Sequence, residues 1–200
     1  MNQLTIAIVY HSGTGNTAKL AQHIAEGVKE KQAMPILLAI RNADIVEGRY
    51  RNEEVMNTVL NADAVIFGSP TYMGSVSAQF KSFADASSEY WANQQWAGKI
   101  AAGFTIGSNP SGDQLSTLQY LMTLSAQHGM LWTGINIPGG SNKDGLNRLG
   151  SQSGLMSYTR SGELDSADLN TARYLGARVA ELTASLPVEQ SLEKIEPEMV

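Results

Sequence analysis

Residues 4–10, Leu-Thr-Ile-Ala-Ile-Val-Tyr, form an apolar run that breaks one residue later into Ser12-Gly13-Thr14-Gly15-Asn16-Thr17. Polarity does not alternate along the run, so both faces of such a strand must be covered, as in the interior of a parallel sheet. A parallel strand needs a crossover connection, and from Thr17 the apolar period changes to one helical stripe through Leu20, Ala21, Ile24 and Val28. Buried strand, polar glycine turn and amphipathic helix together point to an α/β sheet covered by helices on both faces.

The alternation continues along the chain. Apolar runs at 35–40, 64–68, 100–106 and 130–137 read as four further strands, and helices are expected at 53–60, 77–85 and 114–128, the last closed by Gly129. A final helix carries Leu169, Ala172, Gly176, Val179 and Ala180 behind a cap at Asp165 or Ser166. Right-handed crossovers between these strands give a doubly wound, five-stranded parallel sheet. Residues 138–162 are rich in Gly, Ser and Asn with no sustained period, and read as a long functional or unstructured loop.

Composition narrows the function classes. Two hundred residues suit one domain, and the 16% of charged residues lies below the roughly 25% usual for such proteins. A single domain over 1–186 is expected, followed by an acidic extension over 187–200 in which Glu189, Glu193, Glu196 and Glu198 face one base, Lys194. The net charge of −5 argues against nucleic acid as a partner. No apolar run approaches the ~18 residues of a membrane span, and the N-terminus lacks the basic stretch of a signal peptide, so a cytoplasmic protein is expected. The chain has no cysteine, and His11, His23 and His128 show no paired spacing, so no metal site is expected.

Three loops at the carboxyl ends of strands carry the chemistry, because ligands of open α/β sheets bind there. In the first, Ser12, Gly13, Thr14, Gly15, Asn16 and Thr17 surround a helix start with hydroxyls, an amide and glycines, a setting for one phosphate monoester. No lysine follows the second glycine, so it is not a nucleoside-triphosphate loop. The same residues also satisfy G-x-G-x-x-A through Ala18, with Arg41 available to a 2′-phosphate, but a dinucleotide loop needs close backbone approach rather than a lining of hydroxyls. The second loop, Gly68-Ser69-Pro70-Thr71-Tyr72-Met73-Gly74, and the third, Gly107-Ser108-Asn109-Pro110-Ser111-Gly112-Asp113, read as ordinary strand–helix turns when taken singly.

In combination they are specific. The first loop resembles the phosphate loop of flavodoxins. The second loop with Ser77-Ala78-Gln79-Phe80, then Phe104-Thr105, Gln127-His128-Gly129-Met130 and 169–176, is similar to WrbA-type NAD(P)H:quinone oxidoreductases in colinear order. The resemblance implies a flavodoxin-like fold of strand order 2-1-3-4-5, noncovalent FMN, NAD(P)H and a quinone as substrates, and a homo-oligomer, dimer or tetramer. By the same resemblance the first loop holds the FMN phosphate, Thr71 to Gly74 line the flavin ring with Pro70 stiffening this cofactor-binding loop, and Gly107 to Asp113 cover its pyrimidine end. Trp91 would stand over the open flavin face, His128 would reach a neighbouring subunit's site, and Tyr72 or His128 would stabilise reduced flavin or quinol. A plain flavodoxin-type electron carrier is the alternative. On the residues alone, Trp91 is also an interface hydrophobe and His128 a helix-end cation. The family often has Arg and Phe where this chain has Tyr72 and Met73.

Overall fold

The structure, a computed structural model, describes residues 3–140 and 145–186; the acidic extension expected at 187–200 lies outside the described residues. Strand β1 (Thr5–Tyr10) occupies the middle of the sheet, flanked in parallel by β2 (Met34–Ala39) and β5 (Ala64–Tyr72). Next to β5 lies β7 (Ile100–Gly107), and the far edge is completed by β8 (Leu131–Trp132). The order β2-β1-β5-β7-β8 is the expected 2-1-3-4-5.

Helices α1 (Asn16–Glu30) and α6 (Ser166–Ser185) cover one face, over a core containing Ile6, Ile8, Ile24, Phe104, Leu175 and Val179. Helices α2 (Glu53–Asn61), α3 (Ala78–Ala86) and α5 (Gln114–Gln127) cover the other, over Val9, Phe67, Phe80, Phe83, Trp96 and Leu121. Short polar side chains fix several starts: Asn52 accepts from the Val55 amide, Ser77 from Phe80 and Asp165 from Ala167. Helices α1 and α6 touch backbone to backbone. A β-carbon on Gly27 would collide with the Arg173 carbonyl, and one on Gly176 with the Ile24 carbonyl.

Three expectations need correction. The third strand does not stop at residue 68; it runs on to Tyr72, turns at Met73-Gly74 and returns as β6 (Ser75–Val76), so most of the second loop is a hairpin. The fifth strand does not span 130–137: only Leu131 and Trp132 pair, opposite Ile100 and Ala101. The rest of that edge is β9 (Leu155–Tyr158), opposite residues 104–107 and drawn from the stretch read as a loop. The chain leaves the edge at Thr133 and Gly134, where Gly134 packs against the Gln152 carbonyl too closely for any β-carbon. An unanticipated hairpin, β3 (Ile45–Val46) and β4 (Arg49–Tyr50), precedes α2.

The inserted segment is pinned by a buried ion pair. Asp168, 2% exposed on α6, accepts from Arg148 Nε and Nη2 at 2.8 Å each and from Ser157 Oγ at 2.7 Å. Arg148 also lies over the Tyr158 ring, 4.6 Å from its centroid. At the opposite end of the sheet the Lys99 ammonium donates to the carbonyls of Val59, Leu60 and Ala62, closing the C-terminus of α2.

Candidate functional site

The chain winds from β1 to β2 in one direction along the sheet and reaches β5 in the other, so β1 and β5 flank the point where the order reverses. At the carboxyl edge there, the three loops gather. Left-handed backbone at Gly15 (φ 89°) swings the chain into α1, whose N-terminus has no side-chain cap from its N-cap residue. Ser12 Oγ instead accepts from the Ala18 amide at 3.2 Å, and Asn16 Nδ2 donates to Thr14 Oγ1 at 3.4 Å. Gly13, Thr14 and Gly15 are exposed, and a β-carbon on Gly15 would meet nothing within 4 Å. Open space, helix N–H groups and hydroxyls form a cradle with the donor set of a dianionic phosphate and no lysine for a second one.

The hairpin turn places Met73 and Gly74 in left-handed conformations (φ 48° and 77°). Met73 is fully exposed, Tyr72 is 46% exposed, and the Tyr72 hydroxyl lies against Gly13, spanning the first and second loops. Underneath, Ser69 Oγ donates to the Pro70 carbonyl at 2.9 Å and accepts from the Ser77 amide at 2.9 Å, tying the hairpin to the start of α3.

A chain of threonines supports the hairpin. Thr105 Oγ1 donates to the Ser69 carbonyl at 2.7 Å, so toward Thr71 Oγ1, 2.8 Å away, it can only accept. Thr71, its proton committed to Thr105, then accepts from Thr117 Oγ1 at 2.8 Å. The polarity runs one way, from α5 through β5 to β7, and it fixes Thr71.

In the third loop Ser108 to Asp113 are exposed, and Gly112 and Asp113 are left-handed (φ 49° and 53°). Gln114 is fully buried beneath it, donating to the Asn109 carbonyl at 3.0 Å while its Oε1 has no partner. Arg160, just beyond β9, donates to Asn109 Oδ1 at 3.0 Å.

The first loop and the hairpin therefore meet at Gly13 and Tyr72, and the third loop stands beside them at the end of β7. Two predicted site residues do not join them. Trp91, on α4 (Ser88–Trp91), and His128, at the end of α5, lie at the opposite, amino edge of the sheet, where Leu131 bonds to Lys99. His128 is 2% exposed, stacks on Trp96 at 4.2 Å and lies 2.8 Å from Ser87 Oγ. Ser87 gives its own proton to the Ala84 carbonyl, so His128 Nε2 donates to it and the unpartnered Nδ1 carries the lone pair. Burial lowers the His128 pKa. Trp91 is half exposed. Arg41, the candidate for a 2′-phosphate, is paired with Asp44 at 3.2 Å.

Sequence reading missed Gln114, Arg160 and the roles of Thr105 and Thr117. A lone hydroxyl in the otherwise apolar 100–106 run was a signal for Thr105; a threonine inside a helix carries none.

The sequence profile of the family described as NADPH-dependent FMN reductase matches residues 5–137. The chain is 35% identical to Flavodoxin FldP of Pseudomonas aeruginosa, over 90% of this chain and 96% of that protein. It is 34% identical to an NAD(P)H dehydrogenase (quinone) of Archaeoglobus fulgidus, covering 90% of this chain and 98% of the other. Among solved structures, a flavodoxin, WrbA-like protein from Agrobacterium tumefaciens superposes with a TM-score of 0.72 at 39% identity, covering 91% of this chain and 98% of that one.

Proposed function

Because the chain belongs to the NADPH-dependent FMN reductase family, we propose that it is an FMN-dependent oxidoreductase that draws a hydride from NAD(P)H and delivers two electrons to a quinone. The observation that carries the reading is the N-terminus of α1, uncapped by Gly15, opening into a glycine and hydroxyl cradle at the switch point of the sheet. The quinone as acceptor is supported by the 34% identity to the Archaeoglobus protein bearing that name.

When bound, FMN supplies the redox chemistry itself; the chain binds, orients and shields it. Ser12, Thr14, Asn16, Thr17 and the first amides of α1 would hold the phosphate. Tyr72, Met73 and Gly74 offer an exposed apolar and aromatic rim suited to a flat ring, with the threonine chain keeping Thr71 still beneath it. The third loop closes the other side with backbone groups from Gly107 to Asp113. Trp91, half exposed, would enter only through a second subunit, whose amino edge would be brought over this carboxyl edge in a homodimer or homotetramer, with the buried His128 behind it. Sizing of the full chain at micromolar concentration tests that arrangement, and a monomer would remove both residues from the site.

The deciding experiment is an anaerobic titration of FMN-loaded protein with NADPH and then NADH. One equivalent of reduced nicotinamide should bleach the visible flavin absorbance, and a quinone should restore it. No bleaching by either nucleotide favours the second reading, a one-electron carrier, which the 35% identity to Flavodoxin FldP supports. Failure to bind FMN overturns both.

A further inference from the structure

His11 follows β1 directly, and its amide donates to the Gly68 carbonyl on β5 at 3.1 Å. The residue is only 6% exposed, and Nδ1 is sealed from solvent with no hydrogen-bond partner among the described residues. An imidazole so placed is costly unless something completes it. One ring atom, Cε1, comes within 3.9 Å of where a β-carbon on Gly13 would stand, beside the Tyr72 hydroxyl. The imidazole therefore packs beside Gly13 of the first loop with a buried nitrogen still unpaired.

The charged surroundings are sparse. Neither the first nor the second loop contains an acid or a base other than His11 itself. At this end of the elements around it the titratable groups are Tyr10 on β1, Tyr72 on the hairpin, Arg41 and Asp44 after β2, paired with each other, and Lys19 on α1, donating to the Gly162 carbonyl; His23, Glu26, Lys29 and Glu30 stand further along α1. Asp113 stands exposed in the third loop. Burial lowers the His11 pKa, and no neighbouring charge offsets that. The positive end of α1 acts in the same direction, against a cation.

We propose that His11 is part of the phosphate site, neutral in the free protein and protonated when a phosphate dianion docks across Gly13, so that FMN binding takes up a proton. The dianion is the counter-charge this imidazole lacks. Protonation moves one proton from the buffer to a ring nitrogen, with no bond made or broken to the ligand. The proposal rests on the reading of the first loop as a phosphate site.

An opposite charge within ~4–6 Å raises a histidine pKa by about one unit or more, which corresponds to roughly tenfold in affinity across the titration. Calorimetry of the full-length chain near neutral pH, in two buffers of different ionisation enthalpy, should show proton uptake with FMN, little with riboflavin and little for FMN with His11→Gln. Equal uptake by wild type and variant, or equal uptake with riboflavin and FMN, overturns the proposal. Imidazole nitrogen spectra of the wild-type chain provide a check that needs no variant and no flavin: inorganic phosphate should shift the His11 titration upward, and an unmoved titration under saturating phosphate counts against it. A chain whose His11 titration responds to phosphate but which does not bind FMN would sink the flavoenzyme reading and leave His11 standing as part of a phosphate site.

Discussion

Asp168 keeps a negative charge inside the protein because the Arg148 fork and the Ser157 hydroxyl supply three donors to its carboxylate. Removing the guanidinium strands that charge, so Arg148→Met should lower unfolding free energy by about 3–5 kcal/mol in urea titrations, and Arg148→Met with Asp168→Leu should recover part of the loss. At the cradle, Ser12→Ala deletes the support of the Ala18 amide and, on the proposed function, a hydroxyl for the phosphate. Charge-assisted hydrogen bonds of about 1.5–3 kcal/mol predict FMN binding weaker by roughly 10- to 100-fold, with riboflavin binding little changed, in fluorescence-quenching titrations. His11 and His128 both have pKa values lowered by burial. Below the ordinary value of 6.5 the unfolded chain therefore binds protons that the folded chain does not, and stability falls as pH drops through that window. Melting temperature should decline between about pH 7 and pH 5, less steeply in His128→Gln, which retains a donor for Ser87. The hydroxyls of the first loop were legible in the sequence because six polar or glycine residues in a row have few other uses there. The Arg148–Asp168 pair was not: its members come from a segment without periodicity and from a helix, and nothing local marks them as partners.

Helices and interior strands were read from their periods, and they hold because burial and period agree. The elements that escaped were those whose pairing is decided far along the chain. Leu155 to Tyr158 has no distinctive pattern, and it becomes a strand only because residues 104–107 present an edge to it. The run at 130–137 looked sufficient for the fifth strand, yet after Trp132 the close approach of Gly134 to Gln152 takes the chain off the sheet. At the α1–α6 crossing the sequence did show Gly176 on the core stripe, though not its reason. Gly176→Ala should push the helices apart and cost about 1–3 kcal/mol, despite alanine's better helix propensity, and Gly27→Ala should do the same; thermal unfolding of each variant checks this.

For the whole molecule, the proposed flavin cradle lies at one end of the sheet and the aromatic and histidine cluster at the other, so a site that included Trp91 and His128 would require a second copy of the chain. Among the described residues the sheet also has two free margins, and each resists extension. β2, among the described residues, pairs only with β1, and it contains Pro35, which has no amide proton to offer an incoming strand. The opposite margin is assembled from two short pieces with a break at Gly103, where β8 has ended and β9 has not begun. A foreign strand laid along that side would find a template two residues long, then an interruption, then four more. The divided fifth strand thus protects a hydrophobic parallel sheet from growing into fibrils by adding strands at its rim.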